Sequence, residues 1–473
     1  MMFRGTGTFQ GGIDLPDRKE ATLARAIESA PRPARLLVPL APCGGAAARP
    51  IVEEGARVSA GQTIARAADE TGVDILAPLA GRVGPLAEAE IISGGEAARG
   101  PAVLIEDVSA PAPLVPLAPL FEWRSADADV LRQRIAAGPL TTSRGRIEPV
   151  GGWVERALRK GCRVVIANVV ESQPYVTADH RLLAEHGAEV VRGLAILAKA
   201  VGARKAMLAV DRRRAGDYRA LEEAARACRV VAVAVHPIYP IGNDTILVKV
   251  LTGREVPLGG EPLDVRAAVA DAGTCLAAYR WVACEAPPLG RVVTVAGEAA
   301  GRSGNFHAPF GMECSALAGL PPASGTEQGR DGVPKRDESR LGTPALATPC
   351  LLVHGGPMSG RRCTAATVVS PATDGLIAMA PPVPEVAAPC IRCGWCTDHC
   401  PARLNVAALN DAYELGRVDR GGPLGAAACV ECGVCTYVCP ARLPLSQRVK
   451  QLKRTLRRMR REMPLFASGR AGR

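Results

Sequence analysis

Aromatic residues make up only 3% of this chain of 473 residues, so its cores have to be built from Ala, Val and Leu rather than from packed rings. No apolar run reaches the roughly 18 residues needed to cross a bilayer, and any membrane association is therefore expected to be peripheral. The chain does not open on a charged stretch followed by an apolar one, so no signal peptide is expected and a reducing, cytoplasmic location follows. A nucleophile triad, a zinc-hydrolase motif and a Walker loop are also missing, which leaves hydrolytic chemistry without a carrier. The six His, at 180, 186, 236, 307, 354 and 399, are scattered and read as surface or core residues.

Cysteine, by contrast, is plentiful: the chain has sixteen. Cys43, Cys162, Cys228, Cys275, Cys284, Cys314, Cys350 and Cys363 show no pairing rhythm and read as buried or free thiols. The other eight fall in two runs, CIRCGWCTDHCP at 390–401 and CVECGVCTYVCP at 429–440. Each is Cys-x2-Cys-x2-Cys-x3-Cys-Pro, the bacterial ferredoxin spacing in which three thiolates hold one [4Fe–4S] cube and the fourth reaches the other. That rule gives Cys390, Cys393, Cys396 and Cys439 to a first cluster and Cys429, Cys432, Cys435 and Cys400 to a second. Gly394 and Gly433 are free to take the positive φ that a tight wrap needs, and Pro401 and Pro440 turn the chain away. Structural zinc favours Cys-x2-Cys pairs over such triplets, and disulfide frameworks belong to small secreted chains.

Charge is placed unevenly. Of the formal +11, +10 lies between Ala441 and Arg473, where eleven Lys and Arg face one Glu. Within that tail Val449, Leu452, Leu456, Met459 and Met463 recur at helical spacing, while Arg448, Lys450, Lys453, Arg454, Arg457, Arg458, Arg460 and Arg461 fill the other faces. Such a basic amphipathic helix over 447–463 suits an anionic membrane surface or an acidic partner; a terminal helix docked on its own domain reads equally well. No nucleic acid partner is expected, because the tail lacks stacking aromatics.

Taken in order, residues 1–35 read as an extended, Gly-rich arm, and 36–106 as a barrel-sandwich hybrid similar to biotinyl and lipoyl domains. The hairpin at Ala68–Asp74 has no Lys to carry a cofactor, so this module is expected to be structural. Residues 107–135, with Pro at 111, 113, 116 and 119, read as a linker. From 136 to 288 short Val-rich apolar runs at Arg163–Val170, Lys205–Val210 and Arg229–His236 alternate with helical stretches, one through Val190, Leu194, Leu197 and Val201, another over Asp217–Ala227. That alternation predicts a Rossmann-like parallel α/β domain, with ligands at the carboxyl ends of its strands. The polar segment after Val170 is the first place to look, although a loop with Thr177 or Asp179 capping the next helix accounts for it as well. Residues 289–380 read as a β region with a disordered insertion at 321–348, 386–445 as the ferredoxin segment and 446–473 as the tail.

This order of parts resembles the C subunit of the Rnf (Rsx) electron-transport complex, and is similar to the cobalamin reductase of propanediol utilisation and to the NADH- and FMN-binding subunit of respiratory complex I. The residues that carry the likeness are FQGGIDLP (9–16), NVVESQPYVTADHRLL (168–183), LTGREVPLGGEPLDV (251–265), RVVTVAGEA (291–299), HGGPMSG (354–360) and the two Cys runs. The resemblance implies a β-grasp (SLBB-like) region at 289–380 and a flavin and NADH site in which Asn168 and Glu171 match. It also implies electron exchange among NADH or ferredoxin, the clusters and membrane subunits of an Rnf-like complex, at the inner face of the cell membrane. The family's Gly-rich flavin loop is replaced by AAGPLTTSRGRIEPVGGW (136–153), and the second acid of its Glu-x-Glu-Pro segment is Gln173. Both departures speak against bound FMN, and a flavin-less electron wire and scaffold is the alternative.

Overall fold

The computed structural model describes residues 4–5, 8–145, 147–321, 350–381 and 386–462. The expected insertion at 321–348, apart from Pro321, and the end of the tail lie outside them.

Strands Arg35–Pro39, Arg57–Val58, Gly81–Ser93 and Glu96–Glu106 pair antiparallel, and Arg49–Pro50, Thr63–Arg66 and Ile75–Leu76 form a small facing sheet. Alternate residues of the long strands, Val83, Val103 and Ile105 among them, pack with Leu36, Val38 and Ile64. The same core includes Val293, Phe306 and Leu376 of the C-terminal β region, so these two modules share one apolar interior. That β region is a six-stranded sheet in the order Arg361–Arg362, Leu351–His354, Gly375–Met379, Gly290–Ala296, Gly304–Pro309 and Ile27–Ser29. Its last strand comes from the N-terminal arm and runs parallel to its neighbour.

The α/β domain is a parallel sheet ordered Arg4–Gly5, Val230–Val235, Lys205–Asp211, Val164–Val169 and Ala267–Ala270. Every residue of Val164–Val169 is buried, because helices cover both faces of such a sheet. Helix Ala178–Ala200 buries Val190, Leu194 and Leu197 along one stripe and meets helix Ala272–Cys284 at Gly193. The strand order reverses on either side of Val164–Val169, leaving a crevice between its carboxyl end and that of Ala267–Ala270.

Two expectations change and one choice is settled. Asp217–Ala227 begins inside a 3-10 helix, Arg212–Leu221, and becomes α-helical only at Glu222–Ala227. The stretch 107–135 is not a bare linker: Leu114, Leu117 and Phe121 lie against the α/β core, Trp123 is buried, and helix Ala128–Ala136 buries Leu131 and Ile135. The prolines break the periodicity, so single apolar anchors there leave no pattern to read. Third, of the two readings of the tail helix, Leu445–Glu462, the structure shows docking on its own domain for the part of the apolar stripe from Val449 to Leu456. Val449 and Leu452 are buried and Leu456 half-buried in the ferredoxin core with Leu404, Leu409 and Leu443, while Arg448 reaches Glu414 and Arg454 reaches Glu96. Met459, further along the same stripe, stays exposed, so the first part of the apolar face is taken up by the chain's own domain.

The tightest joint in the α/β domain is at Gly193, where an added Cβ would lie 1.7 Å from the Cys275 carbonyl oxygen. Gly193→Ala is expected to cost about 3 kcal/mol or more by forcing the two helices apart, seen as a large drop in the urea midpoint of the whole chain.

Candidate metal centres and a filled crevice

The two cysteine runs fold as structural twins. Gly394 and Gly433, at φ +85° and +82°, each start a one-turn helix, Trp395–Asp398 and Val434–Tyr437. Arg392 and Glu431 ahead of them, and Arg403 and Arg442 behind, also take positive φ. This left-handed backbone is uncommon for residues with a side chain, and it wraps three cysteines of each run around one centre.

The structure brings the eight cysteines into two groups, and each group borrows its last member from the other run. Burial pushes the Cys396 thiol up, with Cys393, Cys439 and Cys390 adding to the push. The same four, with Pro440, Leu443 and Leu445, line one pocket. Burial likewise raises Cys429, Cys432 and Cys435, Cys432 to about 12, and for each of them Cys400 is a contributing neighbour. Four crowded thiols ionise together only when positive charge is supplied among them; all-thiolate sets suit zinc or an iron–sulfur core, and the Cys-x2-Cys-x2-Cys-x3-Cys-Pro spacing is what favours the second. The residues fit [4Fe–4S] clusters.

The two groups have different surroundings. The first is near solvent: Cys393 is exposed, as are Ile391 and Trp395 beside it. The second lies against the carboxyl edge of the α/β sheet. Val430 packs with Ile166, Val235 and Ile241. A Cβ on Gly433 would come within 2.3 Å of the Met358 carbonyl oxygen. The arm motif FQGGIDLP fills the remaining gap, with Gly12 N–H donating to the His399 carbonyl at 2.9 Å and Gly11 pressed on Cys400 so closely that a Cβ would lie 2.8 Å from its oxygen.

The flavin-site residues are brought together too, but their bonding capacity is spent within the protein. Asn168 is fully buried. Its Nδ2 donates to the Gly242 carbonyl and to Asp244 Oδ1, at 3.0 and 2.7 Å, and its Oδ1 accepts from Val170 N–H. Glu171 accepts from the N–H groups of Asp179 and His180 at 2.8 and 3.0 Å, and so caps helix Ala178–Ala200. Thr177, one of the two residues expected to cap it, bonds Asn305 instead. Gln173 has left the crevice and faces Met358 and Ser359.

Three helix N-termini converge here, an arrangement that ordinarily attracts phosphate, and each meets a carboxylate of the chain itself. Asp179 lies in the first turn of one and Asp244 opens the second; Asp271 caps the third by accepting from Thr274 N–H. The loop that stands in place of the Gly-rich one closes over them. Ser143 Oγ donates to Asp271 at 2.6 Å. Arg144 brings a guanidinium whose buried Nη1 has no hydrogen-bond partner. Burial works against that charge, yet Asp244, Asp179, Asp271 and Asp374 hold its pKa above the usual arginine value. The crevice thus holds four acids, of which burial shifts Asp179 and Asp244 towards their neutral forms, and one arginine with an unpartnered nitrogen. Sequence reasoning missed Ser143, Arg144, Asp244, Asp271 and Asp374; the strand-order reversal was the signal that could have located them.

Three stretches of the chain match known families. Residues 389–444 match a family described as a 4Fe-4S dicluster domain, which makes this an iron–sulfur protein. Residues 7–109 match the RnfC barrel sandwich hybrid domain and 149–280 the Nuo51 FMN-binding domain. Along most of its length the chain resembles the C subunit of Rnf-type complexes. It is 28% identical, over 85% of its length and 84% of the relative's, to the C subunit of the proton-translocating ferredoxin:NAD(+) oxidoreductase complex of Clostridium ljungdahlii. Against the C subunit of the Na(+)-translocating ferredoxin:NAD(+) oxidoreductase complex of Acetobacterium woodii the figures are 26%, 84% and 85%. It is 30% identical to the C subunit of the ion-translocating oxidoreductase complex of Pseudomonas aeruginosa over 86% of this chain, and spans about half, 51%, of that longer relative. No described helix is long and apolar enough to cross a membrane.

The crevice has a pH signature. Burial, with Asp271 and Glu171 adding, raises the Asp179 carboxyl well above its usual range, against the pull of Arg144 and Arg291. The folded chain therefore keeps this proton at pH values where the unfolded chain has lost it, and stability falls as pH rises through that window above the ordinary carboxylate value. Asp179→Asn is expected to remove this part of the decline, giving a difference from wild type in urea unfolding that grows as pH rises above the ordinary carboxylate value.

Proposed function

We propose that this chain is the electron-transfer subunit of a membrane-associated Rnf-like oxidoreductase complex, docked at the inner face of the cell membrane. The observation that carries the reading is the pair of four-cysteine groups, each completed by a thiol from the other run. Cys390, Cys393, Cys396 and Cys439 hold the first cluster, and Cys429, Cys432, Cys435 and Cys400 the second. When bound, the clusters accept and release single electrons. Leu443, Leu445, Val449 and Leu452 keep the space behind them dry. Cys393, Ile391 and Trp395 leave the first group open towards a partner, while the arm and the α/β edge cover the second. Electrons pass between membrane subunits and a soluble partner of the NADH or ferredoxin class, as the names of the relatives suggest.

The filled crevice favours the flavin-less form of this reading. Arg144 and Ser143 stand over the helix N-termini where a phosphate would sit, and Asn168 and Glu171 are engaged with the backbone. The α/β domain acts as a scaffold for the second cluster, and the sheet at 289–380, SLBB-like in its resemblance, braces it through Met358 and Ser359.

Oxygen-free purification followed by iron and flavin analysis and by EPR of the reduced protein tests both halves. Roughly eight irons per chain, a two-centre EPR spectrum, no flavin absorption and no bleaching by NADH alone are expected. Two zinc ions in place of iron would overturn the function; stoichiometric FMN would overturn the flavin-less part.

A further inference from the structure

Position 173 departs from the family's second acid, and its surroundings give the change a use. Gln173 Nε2 donates to Tyr239 Oη at 3.1 Å and to Ser359 Oγ at 2.6 Å, while its Oε1 accepts from Met358 N–H at 3.2 Å. An amide nitrogen only donates. Tyr239, buried at the carboxyl edge of the sheet, must therefore meet it with a lone pair, leaving its own proton for the Cys432 carbonyl at 2.6 Å. A carboxylate at 173 would only accept. It would draw the Tyr239 proton to itself and strip the Cys432 carbonyl of its donor.

The same cysteine loop is gripped from the opposite side. Lys453, buried on the tail helix, donates to the Cys429 carbonyl at 2.6 Å and pairs with Glu431 at 2.9 Å. Two donors thus point their positive ends at backbone carbonyls within the Cys429–Cys432 turn. Hydrogen bonding and local charge are what set a cluster's potential.

We propose that Tyr239, oriented by Gln173, and Lys453 are positioning residues that raise the reduction potential of the cluster held by Cys429, Cys432, Cys435 and Cys400. The inference rests on the two-cluster reading above. Reduction adds one electron and so one negative charge beside this turn, and the Tyr239 dipole and the Lys453 ammonium stabilise that charge. The bonds of Tyr239 and Lys453 go to the turn of the second group, so the first cluster serves as the internal standard.

The test is an anaerobic redox titration of the full chain, followed by EPR, in Tyr239→Phe, Gln173→Glu and Lys453→Met. Each is expected to move the midpoint of the same single centre to lower potential and leave the other unchanged. Gln173→Glu should shift it more than Tyr239→Phe, because it both turns the tyrosine proton away and adds a negative charge. Should Tyr239→Phe lose a cluster outright, the near-isosteric Gln173→Glu decides by its shift alone. Two intact centres with unmoved midpoints, or equal shifts of both, would overturn the inference while leaving the two-cluster reading standing. A wild-type chain that takes up no iron would overturn both.

Discussion

Eight thiols drawn into two half-buried groups of four cannot ionise together unless positive charge comes to lie among them, and much of the C-terminal fold is arranged around that constraint. Left-handed turns at Gly394 and Gly433 aim the cysteines inward. The tail helix closes the apolar side with Val449 and Leu452, and its Lys453 neutralises Glu431 while steadying the Cys429 carbonyl. A helix whose composition suggests a membrane-seeking surface is thereby part of the centre's own wall. On its basic faces Arg448, Lys453 and Arg454 pair with Glu414, Glu431 and Glu96.

The second constraint is the contact between that centre and the α/β domain. The arm residues Gly11 and Gly12, the loop at Met358 and Ser359, and Tyr239 converge on the second cysteine group, and the glycine contacts tolerate little added bulk. A domain of flavin-binding descent has kept the architecture that places a redox partner at the carboxyl edge of its sheet. In the crevice itself the chain's own acids and Arg144 stand at the helix N-termini, and Gln173 bonds the loop at Met358 and Ser359 beside the second cysteine group.

How much of this could be read from the sequence depends on whether the signal was local. The cysteine spacing is complete within twelve residues, so the groups and their exchange of a fourth member were legible. The strands at Arg163–Val170, Lys205–Val210 and Arg229–His236 were legible because burial on both faces leaves continuous apolar runs. Helices Asp244–Thr252 and Ala272–Cys284 were not, because helices packed on several sides lose a clean stripe; Val150–Arg159 does carry one, Val150, Trp153, Val154 and Ala157, and its paired glycines disguised it as a turn. The crevice was hidden for a different reason: Ser143, Arg144, Asp179, Asp244 and Asp271 meet only through the crossover that reverses the strand order, and Asp374 reaches them from the six-stranded sheet. Gln173 could be seen to differ from the family, but only the fold shows that it bonds Tyr239 rather than a ring.

Iron-edge anomalous diffraction from crystals of the anaerobically reconstituted chain tests the central claim most directly. Two compact iron peaks are expected, one among Cys390, Cys393, Cys396 and Cys439, the other among Cys429, Cys432, Cys435 and Cys400. A single iron peak, or density that pairs Cys400 with its own run, would contradict the account.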